Sequence, residues 1–233
     1  MQLSEVYTSI QGEGPRTGVP TVFVRFAGCN LKCPGWPCDT QHAIDPALYR
    51  DQWKTTGPRE IFDLIRQEQN FSGARNICLT GGEPFLQKGD DLRELCQLML
   101  ATSYETTIEV FTNGTLLWPS WAVYHLRFIM DWKLKGSGDT TEFDYMMRNA
   151  THLRPKDAVK FTVASLGDFE EAVDIWKRYR DTLAGKPPKV YCGPVWGKME
   201  AAEVASLILA NRLQWRLNVQ LHKFVWDPEA RRT

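Results

Sequence analysis

The chain has 233 residues, with 28 Lys and Arg against 28 Asp and Glu, so its formal net charge is zero. A chain-wide basic field for nucleic acid is therefore excluded. No apolar run approaches a membrane span, and the opening MQLSEVYTSIQGEG lacks the basic and apolar regions of a signal peptide, so a cytoplasmic, reducing location is expected.

In chain order, short apolar runs predict strands over Thr21–Phe26, Asn76–Leu79, Thr107–Phe111, Arg127–Trp132, Ala158–Val163, Lys189–Tyr191 and Leu217–Leu221. Helical patterns fall between several of them: Arg59–Gln69, with Ile61, Leu64 and Ile65 on one face, then Asp90–Thr102, Asp168–Arg180 and Lys198–Asn211. This βαβα alternation predicts an α/β fold with a mostly parallel sheet. A closed eight-stranded barrel typically needs about 250 residues, so an incomplete, open (β/α) barrel of about six parallel strands is expected. No linker or repeat divides the chain, and one domain over 1–233 is expected. Polar motifs begin where strands end: Gly28, Thr80-Gly81-Gly82, Thr112-Asn113-Gly114, and later Lys133 and Gly193. Ligands bind at the carboxyl ends of parallel strands, so these motifs should converge on one mouth.

The chemistry starts in GCNLKCPGWPCDT, where Cys29, Cys33 and Cys38 share one short loop. Structural zinc normally takes four protein ligands, and a cubane cluster held fully by protein takes four cysteines. Three thiolates leave one iron open to an outside chelate. The plainer alternative is a zinc knuckle completed by His42, Asp39 or a distant cysteine. Cys78 and Cys96 sit in apolar stretches and read as small buried hydrophobes, as does Cys192 where a strand ends. A disulfide scaffold is not expected.

The segment LTGGEPFLQ (Leu79–Gln87) resembles the GGEP loop that holds S-adenosylmethionine (SAM) in radical SAM enzymes. Over nearly its whole length the chain resembles one family of them, the 7-carboxy-7-deazaguanine synthases. The likeness is carried by SIQGEG (Ser9–Gly14), VFVRFAGCNLKC (Val22–Cys33), CDT (Cys38–Thr40), LTGGEP (Leu79–Pro84), FTNG (Phe111–Gly114), DWKLKGSG (Asp131–Gly138), VKF (Val159–Phe161), GPVW (Gly193–Trp196) and VQLHK (Val219–Lys223). One departure stands out: relative to CxxxCxxC, extra residues precede the third cysteine, at Gly35-Trp36 or nearby. Loops tolerate such insertions.

The resemblance implies a radical SAM lyase. It would contract the ring of 6-carboxy-5,6,7,8-tetrahydropterin to 7-carboxy-7-deazaguanine with loss of ammonia, for queuosine-type 7-deazapurines. SAM would be regenerated, with hydrogen taken from C6 and later returned. A 4Fe–4S cluster on Cys29, Cys33 and Cys38, magnesium on Thr40, a homodimer and an electron donor such as flavodoxin or ferredoxin follow from the same likeness. So does a substrate pocket of Ile10, Gln11, Gly12, Glu13, Arg25, Thr80, Lys160, Gln220, His222 and Pro228. SAM would lie against Pro37, Cys38 and Asp39, with Gly82 and Glu83 at its methionine moiety. Asp131, Trp132, Lys133 and Ser137 would follow the ribose, and Gly193, Pro194, Val195 and Trp196 the adenine.

Plainer roles stand beside these. Arg25 would fork onto the substrate carboxylate or merely pair with Glu13. Glu13 would hold a pterin N–H or balance Arg25. Asp39 and Thr40 could form a local turn, and Gly81-Gly82 a strand-to-helix turn. Glu83 could brace its loop, and Trp132 and Trp196 could be core aromatics. Gln220 and His222 alternate with apolar neighbours, so both should face one side of a strand. Some family members stop near a proline whose end meets the substrate; here Glu229-Ala230-Arg231-Arg232-Thr233 follow Pro228. Two other functions compete, a glycyl-radical-enzyme activase and a non-catalytic zinc-binding module. QGEG, Arg25 and QLHK speak against the activase.

Overall fold

The computed structural model describes residues 1–36, 38–102, 106–139, 141–228 and 230–232. Among them the strands are β1 (Gln2–Ile10), β2 (Pro20–Phe26), β3 (Lys54–Thr55), β4 (Asn76–Gly81), β5 (Thr107–Thr112), β6 (Arg127–Asp131), β7 (Ala158–Val163), β8 (Lys189–Pro194) and β9 (Arg216–Leu217). The α-helices are α1 (Gln41–Ile44), α2 (Pro46–Tyr49), α3 (Pro58–Ser72), α4 (Gly89–Thr102), α5 (Ser120–His125), α6 (Phe143–Ala150), α7 (Leu166–Arg180), α8 (Ala201–Ala210) and α9 (His222–Val225). None is long and apolar enough to cross a membrane.

The strands form one sheet in the order β3-β1-β2-β4-β5-β6-β7-β8-β9. From β2 through β9 every neighbouring pair is parallel, whereas β1 runs antiparallel to both β2 and β3. The outer strands β3 and β9 do not pair, so the barrel stays open, as the sequence predicts. Side chains alternate between the two faces of each strand. One face sends Val22, Val24, Phe26, Ile77, Leu79, Phe128, Met130, Val159 and Phe161 into the main core beneath the helices. The other face is mixed: Ile129, Ala158 and Tyr191, with Phe111, make a small apolar cluster, and polar residues occupy the rest.

Two predicted stretches turn out otherwise. The chain's first strand, β1, went unread because its inward positions, Glu5 and Tyr7, are polar or half-polar and hide the alternation. Leu217–Leu221 is not a strand; β9 ends at Leu217. Beyond it the Asn218 carboxamide accepts from Gly14 N (2.8 Å) and donates to Glu13 (3.1 Å), and Leu221 N donates to Gly12 O (3.0 Å). The chain is thus tied across the end of β1 and turns into α9. Gln220 and His222 still border the cavity described below, but not through strand alternation.

The loop after β5 is fixed from behind by Asn149 on α6. Its Nδ2 donates to Gly114 O (2.8 Å) and Leu116 O (2.7 Å), while its Oδ1 accepts from Trp118 N (3.1 Å). Replacing this buried side chain in Asn149→Ala strands three backbone groups. A loss of about 3 kcal/mol is expected, read as a lowered thermal midpoint.

Candidate active site

At the carboxyl ends of the parallel strands lies a cavity of about 630 Å³. The predicted residues that border it are Ile10, Gln11, Gly12, Glu13, Arg25, Cys29, Cys33, Cys38, Asp39, Thr40, Thr80, Gly82, Asp131, Lys133, Lys160, Pro194, Val195, Trp196, Gln220, His222 and Pro228. Four others lie off it. Trp132 is packed against Phe143 and Tyr179 in the core. The Ser137 hydroxyl is buried and bonded to the Asp139 backbone, and Gly193 faces the Asn218 carbonyl. Glu83 is buried too: Oε1 accepts from Phe85 N (3.1 Å) and Thr112 Oγ1 (2.8 Å), and Oε2 from Asn113 N (2.8 Å). Burial pushes its carboxyl up to about 7. It braces its own loop against the one after β5 instead of reaching the cavity. Pro37 lies outside the described residues.

The cysteine loop is held by backbone contacts. Gly82 N donates to Phe26 O (3.1 Å) and Glu83 N to Gly28 O (2.8 Å), which stitches the GGEP turn to the residues just before Cys29. A Cβ on Gly82 would lie 1.9 Å from the Gly28 carbonyl oxygen, so only glycine fits. Further along, Asp139 Oδ2 accepts from Lys32 N (2.5 Å) and from Cys33 N, whose residue has a φ of 44°. Gly35 N donates to Ser137 O (2.9 Å). Trp36 is buried in the main core. The extra residues between Cys33 and Cys38 are therefore an anchor, not slack.

The donor set fits a cluster better than a knuckle. Cys29, Cys33 and Cys38 are free, half-buried and share one cavity. Leu31 N donates to Cys29 Sγ (3.4 Å), as backbone amides do around cluster sulfur. The side chains that could complete a zinc site are engaged elsewhere. His42 Nε2 lies 3.1 Å from Glu5 Oε1, and Asp39 accepts from Gln220 (2.5 Å) and Lys223 (2.9 Å). Among the described residues no three His, Cys, Asp or Glu side chains are gathered tightly enough for a single ion. Burial pushes the Cys33 thiol up to about 11 and raises Cys29 as well. A metal must therefore displace protons to bind here.

Two charge networks line the cavity. In the first, Arg25 Nε donates to Glu5 Oε1 (2.8 Å) and Arg25 Nη2 to Tyr7 Oη (2.8 Å). Arg25 therefore pairs with Glu5, not Glu13. Glu5 also receives Arg232 Nε (3.0 Å). Burial alone would raise Glu5, but His42, Arg25 and Arg232 outweigh it and bring the carboxyl to about 2. In the second, Lys160 Nζ bridges Glu13 (3.0 Å) and Asp131 (3.3 Å), and Lys133 reaches Asp131 (3.0 Å). Asp131 and Lys160 are register partners on β6 and β7, which sets that contact. Among the described residues Asp131 Oδ1 is a buried acceptor with no hydrogen-bond partner, on a side chain that borders the cavity. Among the described residues the Thr40 hydroxyl makes long contacts, 3.5 Å to Cys38 Sγ and to Gly81 O.

Sequence reasoning missed Glu5, Tyr7, Asp139, Lys223 and Arg232. For Glu5 and Tyr7 a signal existed, their two-residue spacing before QGEG. Asp139 gave none, because it acts on a loop about a hundred residues earlier in the chain, 107 from Lys32.

An open parallel barrel with three free thiols at its mouth defines a class, the radical SAM enzymes. The 4Fe-4S single cluster domain family matches residues 10–120. The chain is 33% identical to the 7-carboxy-7-deazaguanine synthase of Clostridium acetobutylicum, over 97% of this chain and 96% of that one. It is 32% identical to that of Methanospirillum hungatei, covering 98% and 86%. The crystal structure of QueE from Escherichia coli shares the fold, with a TM-score of 0.71, 22% identity and coverage of 95% and 94%. The chain belongs to the 7-carboxy-7-deazaguanine synthase family.

Two outcomes are expected. In Gly35→Ala the new Cβ would lie 2.0 Å from the Gly136 carbonyl oxygen. That backbone clash should cost about 2 kcal/mol and lower iron retention, whereas Gly57→Ala, with open space around it, should not. Glu5, depressed from 4.5 to about 2, contributes stability above the first value that is lost as pH falls through the second. Glu5→Gln should flatten acid destabilisation in that window by about 3 kcal/mol, measured by chemical denaturation at stepped pH.

Proposed function

We propose that this chain contracts 6-carboxy-5,6,7,8-tetrahydropterin to 7-carboxy-7-deazaguanine with loss of ammonia, in queuosine-type 7-deazapurine biosynthesis. The observation that carries the reading is a shared cavity: Arg25, clamped by Glu5 and Tyr7, opens on the same space as the three thiols. A carboxylate anchor and a cluster with one open iron then address one ligand.

Cys29, Cys33 and Cys38 would hold three irons of the cluster, leaving the fourth for the amino and carboxylate groups of SAM. When bound, cluster and SAM supply a carbon radical that removes a hydrogen atom and later returns it. The chain's own residues orient the substrate. Arg25 spends two of a guanidinium's five N–H donors on Glu5 and Tyr7, so three remain to fork onto a carboxylate. Glu13, fixed by Lys160 and Asn218, offers an acceptor to the pterin's N–H edge. Asp131 Oδ1 would accept from a ribose hydroxyl of SAM, with Lys133 holding the other oxygen. Thr40 would give magnesium a single hydroxyl, acceptable for an ion that keeps most of its waters. We further propose a flavodoxin or ferredoxin as electron donor, a homodimer, one domain over the whole chain and a cytoplasmic setting.

Anaerobically reconstituted protein with SAM, magnesium, a strong reductant and the carboxytetrahydropterin should form carboxydeazaguanine at many turnovers per SAM, by mass spectrometry. Reductive SAM cleavage without that product would overturn the substrate. Cys29→Ala, Cys33→Ala and Cys38→Ala should each fail to assemble about four iron and four sulfide per chain. Cys78→Ala should assemble them normally. One zinc per chain in place of iron would return the loop to a structural role.

A further inference from the structure

Glu5 is the point from which a further assignment grows. Its carboxylate, only 2% exposed, receives two guanidinium groups: Arg25 Nε at Oε1 (2.8 Å) and Arg232 Nε at Oε2 (3.0 Å). These two groups come from opposite parts of the chain. Arg25 stands on β2, while Arg232 arrives on a segment that turns back after Asp227, where Ala230 N donates to Asp227 O (2.9 Å). Pro228, Ala230, Arg231 and Arg232 all border the cavity, and Arg231 Nη1 meets Gln52 Oε1 (3.5 Å).

Among the described residues, the Glu5 carboxylate meets two permanent cations, Arg25 and Arg232, with the phenol of Tyr7 on Arg25 and the imidazole of His42 completing the group. The Arg25 side chain is largely buried, whereas that of Arg232 is 62% exposed and open to the cavity mouth. With only Nε used on Glu5, the planar Nη edge of Arg232 keeps the geometry that matches a carboxylate. Arg25 keeps its own unused donors beside it. Two guanidinium groups that meet at one buried carboxylate on the cavity wall, each with N–H donors not spent on it, describe a receptor for an anionic group.

We infer that Arg232 is a specificity-determining residue: the 230–232 segment folds over the cavity and supplies, beside Arg25, a second guanidinium for the substrate's carboxylate. This rests on the function proposed above. Because the segment also covers the cavity, substrate binding holds it down.

Two measurements test this together. In steady-state turnover, Arg232→Ala should raise KM for the carboxylated pterin about tenfold with kcat little changed, the sign of binding lost equally in ground and transition states. Arg232→Lys should recover part of it, and iron content should match the parent protein. Independently, 6-carboxypterin should slow trypsin cleavage after Arg231 and Arg232 in protein without SAM, read by intact mass, while pterin lacking the carboxylate should not. An unchanged KM in Arg232→Ala, or equal protection by both pterins, overturns the inference. Selective protection without any turnover by the parent protein would sink the synthase reading but keep Arg232 as a carboxylate receptor. Turnover with no selective protection would do the reverse.

Discussion

The contact on which this structure depends involves no side chain at all. Where Gly82 meets Gly28, two turns at neighbouring strand ends approach to backbone distance and exchange hydrogen bonds through Phe26 O, Gly82 N, Gly28 O and Glu83 N. The parallel register of β2 with β4, which sets Arg25 opposite Thr80 and Phe26 opposite Gly81, brings the two turns together. Cys29 then leaves the sheet at a position fixed by main chain, and the thiol loop begins from a rigid origin. The glycine usually credited with admitting a ligand is here needed first by the protein's own backbone.

From that origin the inner face of the barrel follows a second constraint, charge balance in a confined space. Buried ions are tolerated when paired and hydrogen-bonded. Lys160, Glu13, Asp131 and Lys133 meet that condition as an alternating chain, as do Glu5, Arg25 and Arg232. Such chains keep polar groups on the inner face of strands such as β2, β6 and β7, whose other face feeds the apolar core. They also leave selected donors and acceptors unspent, the Arg25 fork and Asp131 Oδ1 among them.

Much of this was legible in the sequence, and the limits have physical causes. The parallel strands are short apolar runs bounded by polar turns, so periodicity found them and their ends pointed to the mouth. β1 escaped because its inward residues serve the cavity and break the apolar alternation. Leu217–Leu221 misled for the converse reason: its alternation is genuine, but Asn218 and Leu221 spend their hydrogen bonds on the Gly12–Gly14 turn, and no ladder is left to extend. The motif residues were mostly placed at the cavity, yet Trp132, Ser137, Gly193 and Glu83 belong to its supports. A motif marks which residues are constrained together and does not say which of them face the ligand. Asp139 and Lys223 could not be read at all, since each acts across a long sequence separation through one carboxylate.

The anchored insertion has a consequence for how such a centre lives with oxygen. A cluster at an open mouth is the part of the molecule most easily destroyed, and in many small metal sites the fold is lost with the metal. Here Trp36 is seated in the same core as Phe26, Trp132 and Phe161, and the Gly35 amide is tied to Ser137. The cysteine loop is thus held by contacts that owe nothing to iron. Damage to the centre becomes a question of resupply rather than of refolding, and one polypeptide can outlast several clusters.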